Sequence, residues 1–414
     1  MGQGLIQWQT IAFTKSSQSL NIKREATCLR AYPSAGEFNF HRGLGISLEK
    51  GNWQSTFFIS SQKISTNRER DSISKEDFFS SFQTNGYHRT PAELADRNNE
   101  QQFAAVGNIK FTRRRFTIGM NMIHFQYGRP YKKTGLPYNL NSWKGNQLTD
   151  FSFDYQYTQG NLHLFGELGT DLNLLKAFMQ AALISFSENL EMSFLYRNIS
   201  PAFQSLCSDS FTENGIPNIE EGLYAGLRFK PGHGIQADLY YDLFQFPWLK
   251  YRIDGPSQGR DFFAQIIFRP VKSCKLQTFY KNELKMANTN FSAFGTNALA
   301  APCRQRWRIE IGYVIYNSLE FGSRMEFVWL KQAGYPQQKG FLDMAGFSFH
   351  QNSFSGNLSA SFFETDGYDT RIYIYESDLL YNYSLPAYFE RGLHYHINLR
   401  KDFNNLFRQA NIFV

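Results

Sequence analysis

From Arg306 to Leu330 the chain reads RWRIEIGYVIYNSLEFGSRMEFVWL. Two runs of strict alternation meet at Tyr316-Asn317-Ser318. Trp307, Ile309, Ile311, Tyr313 and Ile315 share one face of the first run; Leu319, Phe321, Met325, Phe327 and Trp329 share one face of the second. Side chains of a strand point alternately to opposite faces, so a period of two marks strands. Folded about that three-residue loop, Trp307 lies opposite Phe327 and Tyr313 opposite Phe321. The same register sets Arg308 opposite Glu326 and Glu310 opposite Arg324, so opposite charges meet on the other face. A slip of one residue would exchange the two faces. If the apolar face meets lipid, that slip costs about 2–4 kcal/mol for each Arg carried to the bilayer midplane.

A second hairpin repeats the pattern. Phe151, Phe153, Tyr155 and Tyr157 alternate with Asp150, Ser152, Asp154 and Gln156. After Thr158-Gln159-Gly160-Asn161, the residues Leu162, Leu164 and Leu168 oppose His163, Phe165 and Glu167. A four-residue turn predicts Tyr157 opposite Leu162 and Tyr155 opposite Leu164. Similar short turns are expected near Lys50-Gly51-Asn52, Thr112 to Arg115, Ser187-Glu188-Asn189, Pro231 to Gly234, Pro270 to Ser273 and His350 to Ser353. Long connections are expected over 64–101, 127–147, 200–220, 246–259, 287–303 and 364–390. Strands joined alternately by short turns and long loops are the plan of an outer-membrane barrel, with the short turns on the periplasmic side. The expected fold is therefore all-β: a transmembrane antiparallel up-and-down β-barrel of about 18 or more strands, each of roughly 9–12 residues.

Composition agrees. Of 414 residues, 41 are Phe and 23 are Tyr, yet the mean hydropathy is −0.43. A barrel with aromatic residues outside and polar residues inside is aromatic-rich and hydrophilic at once. No run approaches the roughly 18 apolar residues of a transmembrane helix. Spanning then requires strands in a closed barrel, which leaves no backbone group unpaired in lipid. The 13 prolines are expected in turns and loops, since proline removes a ladder donor. Met1 to Ile6 shows no leader pattern and reads as a strand already in progress. Phe407 to Val414 reads as another strand beginning. The chain is thus expected to be a single barrel region, 1–414, incomplete at both ends. Thr90 is placed to cap a short helix over Pro91 to Arg97, and Arg371 to Glu376 reads as a hairpin above the membrane.

The candidate chemistry is sparse. Asp150, Asp154 and Glu167 form an acidic patch on one face; paired carboxylates can serve hydrolysis, but charged barrel interiors are routine. Arg308, Glu310, Arg324 and Glu326 suit either a selectivity constriction or a paired ladder that stiffens the wall, and the ladder is expected. His394 and His396 share a face with Asn398 and Arg400; an i, i+2 pair needs further metal ligands, and the sequence offers none. Arg113-Arg114-Arg115 reads as a solvated turn rather than a nucleic-acid patch. Gly43 with Gly45, and Gly166 with Gly169, lie in strands without a following helix, so they make no phosphate loop. Cys28, Cys207, Cys274 and Cys303 have no metal-ligand spacing. Cys207 and Cys303 fall in long loops on one expected side, which leaves a disulfide or unpaired thiols. No catalytic residue, cofactor or metal is assigned.

Several stretches carry a resemblance: Gly2-Gln3-Gly4-Leu5 with Trp8 and Ala12-Phe13; Gly86 to Thr90 with Glu93-Leu94; Tyr196-Arg197 through Ser200-Pro201, then Phe211-Thr212-Glu213 and Glu221 to Tyr224; and Asp366 to Asp369, Arg371 to Tyr373, Tyr375-Glu376, Asp378 to Tyr381, Pro386 to Tyr388 and Arg391-Gly392. Together they resemble the large β-barrel region of Bacteroidota helix-hairpin-helix-domain proteins. The resemblance implies a barrel in the outer membrane, in contact with its lipid. It carries DNA binding onto no residue here, because the module that would bind nucleic acid is not part of this sequence. Three functions remain open: a non-enzymatic barrel for passage of a solute or macromolecule, or as scaffold for envelope protein partners; a nucleic-acid uptake component; and a soluble β-rich adhesin.

Overall fold

The computed structural model describes residues 2–6, 15–24, 29–32, 38, 40–214, 218–289, 297–376, 378, 384–403 and 410–413. It is all-β, with 20 strands in one sheet that runs up and down. The chain divides into two compact units, of which unit 1 comprises 1–186, 192–225 and 243–258, and unit 2 comprises 187–191, 226–242 and 259–414.

The strands of unit 1 are β1 (Gly43–Lys50), β2 (Trp53–Ile64), β3 (Thr66–Arg70), β4 (Asp77–Phe82), β5 (Glu100–Arg113), β6 (Phe116–Tyr131), β7 (Gly145–Gln159), β8 (Leu162–Asp171) and β9 (Lys176–Ser187). Antiparallel pairing runs β1–β2–β5–β6–β7–β8–β9. Strands β10 (Leu190–Ile199), β11 (Glu220–Gly232) and β12 (Ile235–Phe246) have residues in both units, as do β9 at Ser187 and the strand after β12 at Ser257 and Gln258. In unit 2 follow β13 (Ser257–Val271), β14 (Cys274–Lys285), β15 (Ala287–Asn288), β16 (Leu299–Ala300), β17 (Cys303–Tyr316), β18 (Leu319–Lys331), β19 (Gln338–Gln351), β20 (Phe354–Thr365), β21 (Ile372–Tyr373), β22 (Ala387–Tyr388), β23 (Arg391–Phe403) and β24 (Ala410–Phe413). Here the pairing runs β13–β14–β17–β18–β19–β20–β23–β24.

Among the described residues each expected short turn and long connection is present; residues 215–217, 290–296, 377 and 379–383 of three long connections lie outside them. Two links on the long-loop side are short, residues 172–175 and 332–337. Thr90 caps α1 (Pro91–Ala95) through a capping box with Glu93, and the helix ends two residues earlier than expected. Trp307 pairs with Phe327, Tyr313 with Phe321, Arg308 with Glu326 and Glu310 with Arg324, as the alternation predicts. The loop is a two-residue turn plus an irregularity at Ile315, which together preserve that register.

Several expectations need correction. Tyr157 pairs with Leu164, not Leu162, and Tyr155 with Gly166. The turn is only Gly160-Asn161, because Gly160 adopts φ +57°, open to a residue without Cβ. The shift is two residues, so each side chain keeps its face. Residues 2–6 are not a strand; they are buried against β8, as described below. Three prolines lie within strands, all near the ends. Pro130 and Pro270 fall where the β6–β7 and β13–β14 registers break, and Pro231 is next to last in β11, so no regular ladder bond is lost at the two breaks. The hairpin at Arg371 to Glu376 exists as β21–β22, but it folds onto the sheet. Cys207, Cys274 and Cys303 are free thiols, so Cys207 and Cys303 form no disulfide; Cys28, Trp8, Ala12, Phe13, Pro33 and Leu379 to Tyr381 lie outside the described residues. Ala410–Phe413 of the terminal segment does pair, with β23.

Candidate functional site: two faces and the segments that cover one of them

Alternation gives every long strand an apolar and a polar side. The apolar side is exposed. In unit 1 it carries Leu44, Ile46, Phe57, Ile59, Met120, Met122, Phe151, Phe153 and Leu168; in unit 2 it carries Ile266, Trp307, Ile311, Met325, Phe347, Leu358, Leu393, Tyr395 and Ile397. Phe153 is 44% exposed and Tyr395 67%. Aromatic rings pack along this side, Trp307 on Phe327 at 5.7 Å and Phe327 on Phe341 at 5.1 Å. The polar side is the buried one: Asn108, Asn121, Ser152, Asp154, Glu167 and Glu326 are each at most 6% exposed. A water-soluble protein places these groups the other way round.

In unit 1 the polar face is covered by the chain's own N-terminal residues. Asp154 and Glu167 lie opposite each other in the β7–β8 register, and Asp150 lies opposite Asp171. Four carboxylates so placed repel. Asp154 accepts from Asn121 Nδ2 at 2.8 Å. Glu167 Oε2 accepts the backbone N–H groups of Gln3 at 2.5 Å and Leu5 at 3.0 Å. Glu167 of the acidic patch is thus a dock for a peptide backbone. Gly4 holds φ +90°, and a Cβ there would stand 2.8 Å from the Asp209 carbonyl oxygen, which only glycine accommodates. The Asp209 N–H donates to the Gly4 carbonyl at 2.9 Å, and Ser205 Oγ donates to that of Ile6 at 3.0 Å. Leu5 and Ile6 are fully buried beside Phe203, over the space that Gly169 leaves open.

Residues 15–24 extend this dock. Ser193 Oγ and Tyr224 Oη both donate to the Ser19 carbonyl, at 2.7 and 2.9 Å. Lys15 pairs with Glu213 and lies over the Phe244 ring, while Arg24 lies over Phe211. Beneath is a fully buried pair, Arg197 Nε to Glu220 Oε1 at 2.5 Å, whose carboxylate also receives the Glu213 N–H. Gln3, Arg197, Phe211, Glu213 and Tyr224, far apart in sequence, come together in this dock.

In unit 2 a strap made by residues 366–376 and 384–390 covers the polar face of β18–β20. Ile372, Ile374 and Tyr388 pack with Val328 and Leu342 in one buried cluster. Arg304 and Arg324 donate to the carbonyls of Arg371 and Tyr373, at 2.8 and 2.9 Å. The expected ladder lies alongside. Arg308 bonds Glu326 at 2.7 Å and Glu310 at 3.2 Å. Arg324 pairs along its own strand with Glu326; its register partner Glu310 is taken by Arg308. His394 and His396 are on the polar side, as the exposed Leu393, Tyr395 and Ile397 require. His394 Nε2 stands 3.0 Å from Glu376 of the strap, and His396 lines a cavity of about 170 Å³ with Ile374, Tyr375 and Glu376. Among the described residues no three His, Cys, Asp or Glu side chains are placed to hold a metal. Arg113, Arg114 and Arg115 stand exposed at a turn.

No family model matches the chain, and no curated protein matches it. Solved structures that share its type of sheet include the FrpB iron transporter from Neisseria meningitidis, at TM-score 0.43 and 10% identity over 88% of this chain and 65% of that one. Outer-membrane expressed OmpT of Vibrio cholerae aligns at TM-score 0.38 and 7% identity, covering 85% of this chain and 98% of that one. Pseudomonas aeruginosa OccK5 (OpdH) aligns at 0.38 and 8%, covering 87% and 98%. No helix among the described residues is long and apolar enough to cross a membrane, which leaves crossing by strands open.

Proposed function

We propose that this chain is wall and plug of a bacterial outer-membrane β-barrel, non-enzymatic, that serves passage of a solute or an envelope assembly. One observation carries it. Along long strands of both units one face exposes mainly apolar side chains, while charged side chains such as Asp154, Glu167, Asp238, Asp261 and Glu326 are buried on the other. Lipid outside and a polar lumen inside account for that inversion, and water outside does not. The exposed aromatic side chains are further support, since aromatic residues flank the outer band of such barrels.

Passage is favoured over a bare scaffold by what covers the polar face. Residues 2–6 and 15–24 are held there by hydrogen bonds and ion pairs as well as by the buried Leu5, Ile6 and Ile22, and the polar contacts exchange with water as a segment moves. The test is reconstitution of the purified protein in planar bilayers. Expected are low conductance with the dock intact and a clear rise when residues 2–24 are deleted. A protein that stays in the aqueous phase without detergent contradicts the membrane reading. One that inserts but never conducts, with or without residues 2–24, contradicts passage and leaves the scaffold. Nucleic-acid uptake, as the family resemblance suggests, would need a module outside this sequence, and retention of DNA by this chain alone would revive it.

A further inference from the structure

The polar face of unit 2 holds more cations than it pairs. Lys281 and Lys285 on β14, Arg304, Arg306 and Arg308 on β17, and Arg324 on β18 alternate onto one face, as the registers Lys281↔Arg306 and Glu310↔Arg324 require. The carboxylates among them are Asp261, Glu283, Glu310 and Glu326. Lys281 bonds Asp261 at 3.1 Å and Glu283 at 2.8 Å, and Lys285 bonds Glu283 at 3.1 Å. Arg308 and Arg324 use Glu310 and Glu326. Glu283, opposite Arg304 in the register, is taken by Lys281 and Lys285, and among the described residues Arg304 and Arg306 have no carboxylate within ion-pair distance.

Arg304 donates to the Arg371 carbonyl at 2.8 Å, and Glu283 and Glu326 attract its charge from a distance without bonding it. Arg306 Nε is buried and has no hydrogen-bond partner. Its register neighbours are Lys281, a like charge, and Val328, part of the apolar cluster under the strap. The Arg371 guanidinium approaches closely enough to repel Arg304. Charged groups beside apolar side chains are costly unless paired. A planar guanidinium is also the side chain best matched to an oxyanion, which it binds through two parallel N–H donors.

We propose that Arg304 and Arg306, beneath the strap, form a binding site for an oxyanion, a phosphate or carboxylate group carried by a small solute. The proposal rests on the passage reading for its purpose, since a site on this face lies on the route of an anionic solute. It does not rest on it for its test. Purified protein in detergent micelles is titrated with inorganic phosphate, and separately with acetate, by calorimetry at about 10 mM ionic strength, where screening is weak. Saturable phosphate binding is expected, weakened at least tenfold in the double variant Arg304→Gln/Arg306→Gln. Arg391→Gln, on an exposed side chain, should bind as the unaltered protein does. Acetate binding through the same two residues assigns the site to carboxylates as well; phosphate binding alone restricts it to phosphate. Removing two mutually repelled cations should not unfold the wall, and a melting curve checks this. No saturable binding of either anion, or equal binding in the double variant, overturns the proposal. Binding in micelles without conductance in bilayers keeps the site and removes passage; conductance without anion binding does the reverse.

Discussion

Two stretches of this chain cover the polar faces of their own strands, and they do it with different balances of polar and apolar contact. Residues 2–6 and 15–24 of unit 1 are tied down by backbone bonds to Glu167, Ser193, Ser205 and Tyr224, by Lys15 and Arg24 on Glu213, Phe244 and Phe211, and by the buried Leu5, Ile6 and Ile22. The strap of unit 2 is anchored by Ile372, Ile374 and Tyr388 in an apolar cluster, with two arginines on its carbonyls. Bonds to backbone depend little on the side chains of the segment they hold, and each exchanges with a bond to water. An apolar anchor must be dragged into water to leave. The comparison therefore marks the N-terminal residues, despite the buried Leu5, Ile6 and Ile22, as the cover with the larger share of contacts that water can replace.

The sharpest break of that contrast is at the base of the N-terminal dock. Arg197→Ala leaves Glu220 buried without its cation and is expected to destabilise by about 3–5 kcal/mol, read as heat-induced loss of the compact form on gels. If the loss is below about 1 kcal/mol, the pair is not buried in the working protein. Next is the strap. Ile372→Ala removes a fully buried side chain and is expected to cost about 2–5 kcal/mol, with earlier protease cutting between 366 and 390. Glu167→Gln keeps the shape but weakens the two N–H acceptances, so a loss of about 1–3 kcal/mol is expected, confined to release of residues 2–6 in hydrogen exchange. Equal release of the strap would erase the distinction between the two.

The smallest effect is one of pH. His41 packs between Phe58 and Phe125 in unit 1, and burial holds its imidazole below the ordinary value of 6.5. Its contribution is present above that value and is lost as pH falls through the lower folded one. Residues 40–42 should therefore loosen on acidification below about pH 6, and His41→Gln should remove that dependence. Hydrogen exchange of the Arg42 and Ser61 amides is the readout.

Much of the wall was legible because alternation is local. A period of two read off residues 306–330 gives faces, register and the Arg308–Glu326 pair together. The β7–β8 register was missed by two residues, since alternation is blind to even shifts and the tight turn at Gly160 decides between them. The covering segments were not legible. Gln3 and Leu5 reach Glu167 through backbone N–H groups, which every residue has, so no side-chain pattern announces them. Positive φ at Gly4 is equally silent in a sequence. The strap looked like an external hairpin because Ile372 and Ile374 alternate as any strand does; only the apolar Val328 and Leu342, interrupting an otherwise polar face, hinted at something packed against them.

The claim beneath all of this is which side of the strands meets lipid. Nitroxide labels on Ile309→Cys, Glu310→Cys, Ile311→Cys and Gly312→Cys, in a background without the four native thiols and in bilayers, measure it by collision with oxygen and with a water-soluble nickel chelate. The account predicts high oxygen and low nickel contact at 309 and 311, and the reverse at 310 and 312. Nickel contact at 309 and 311 equal to or above that at 310 and 312 would contradict it.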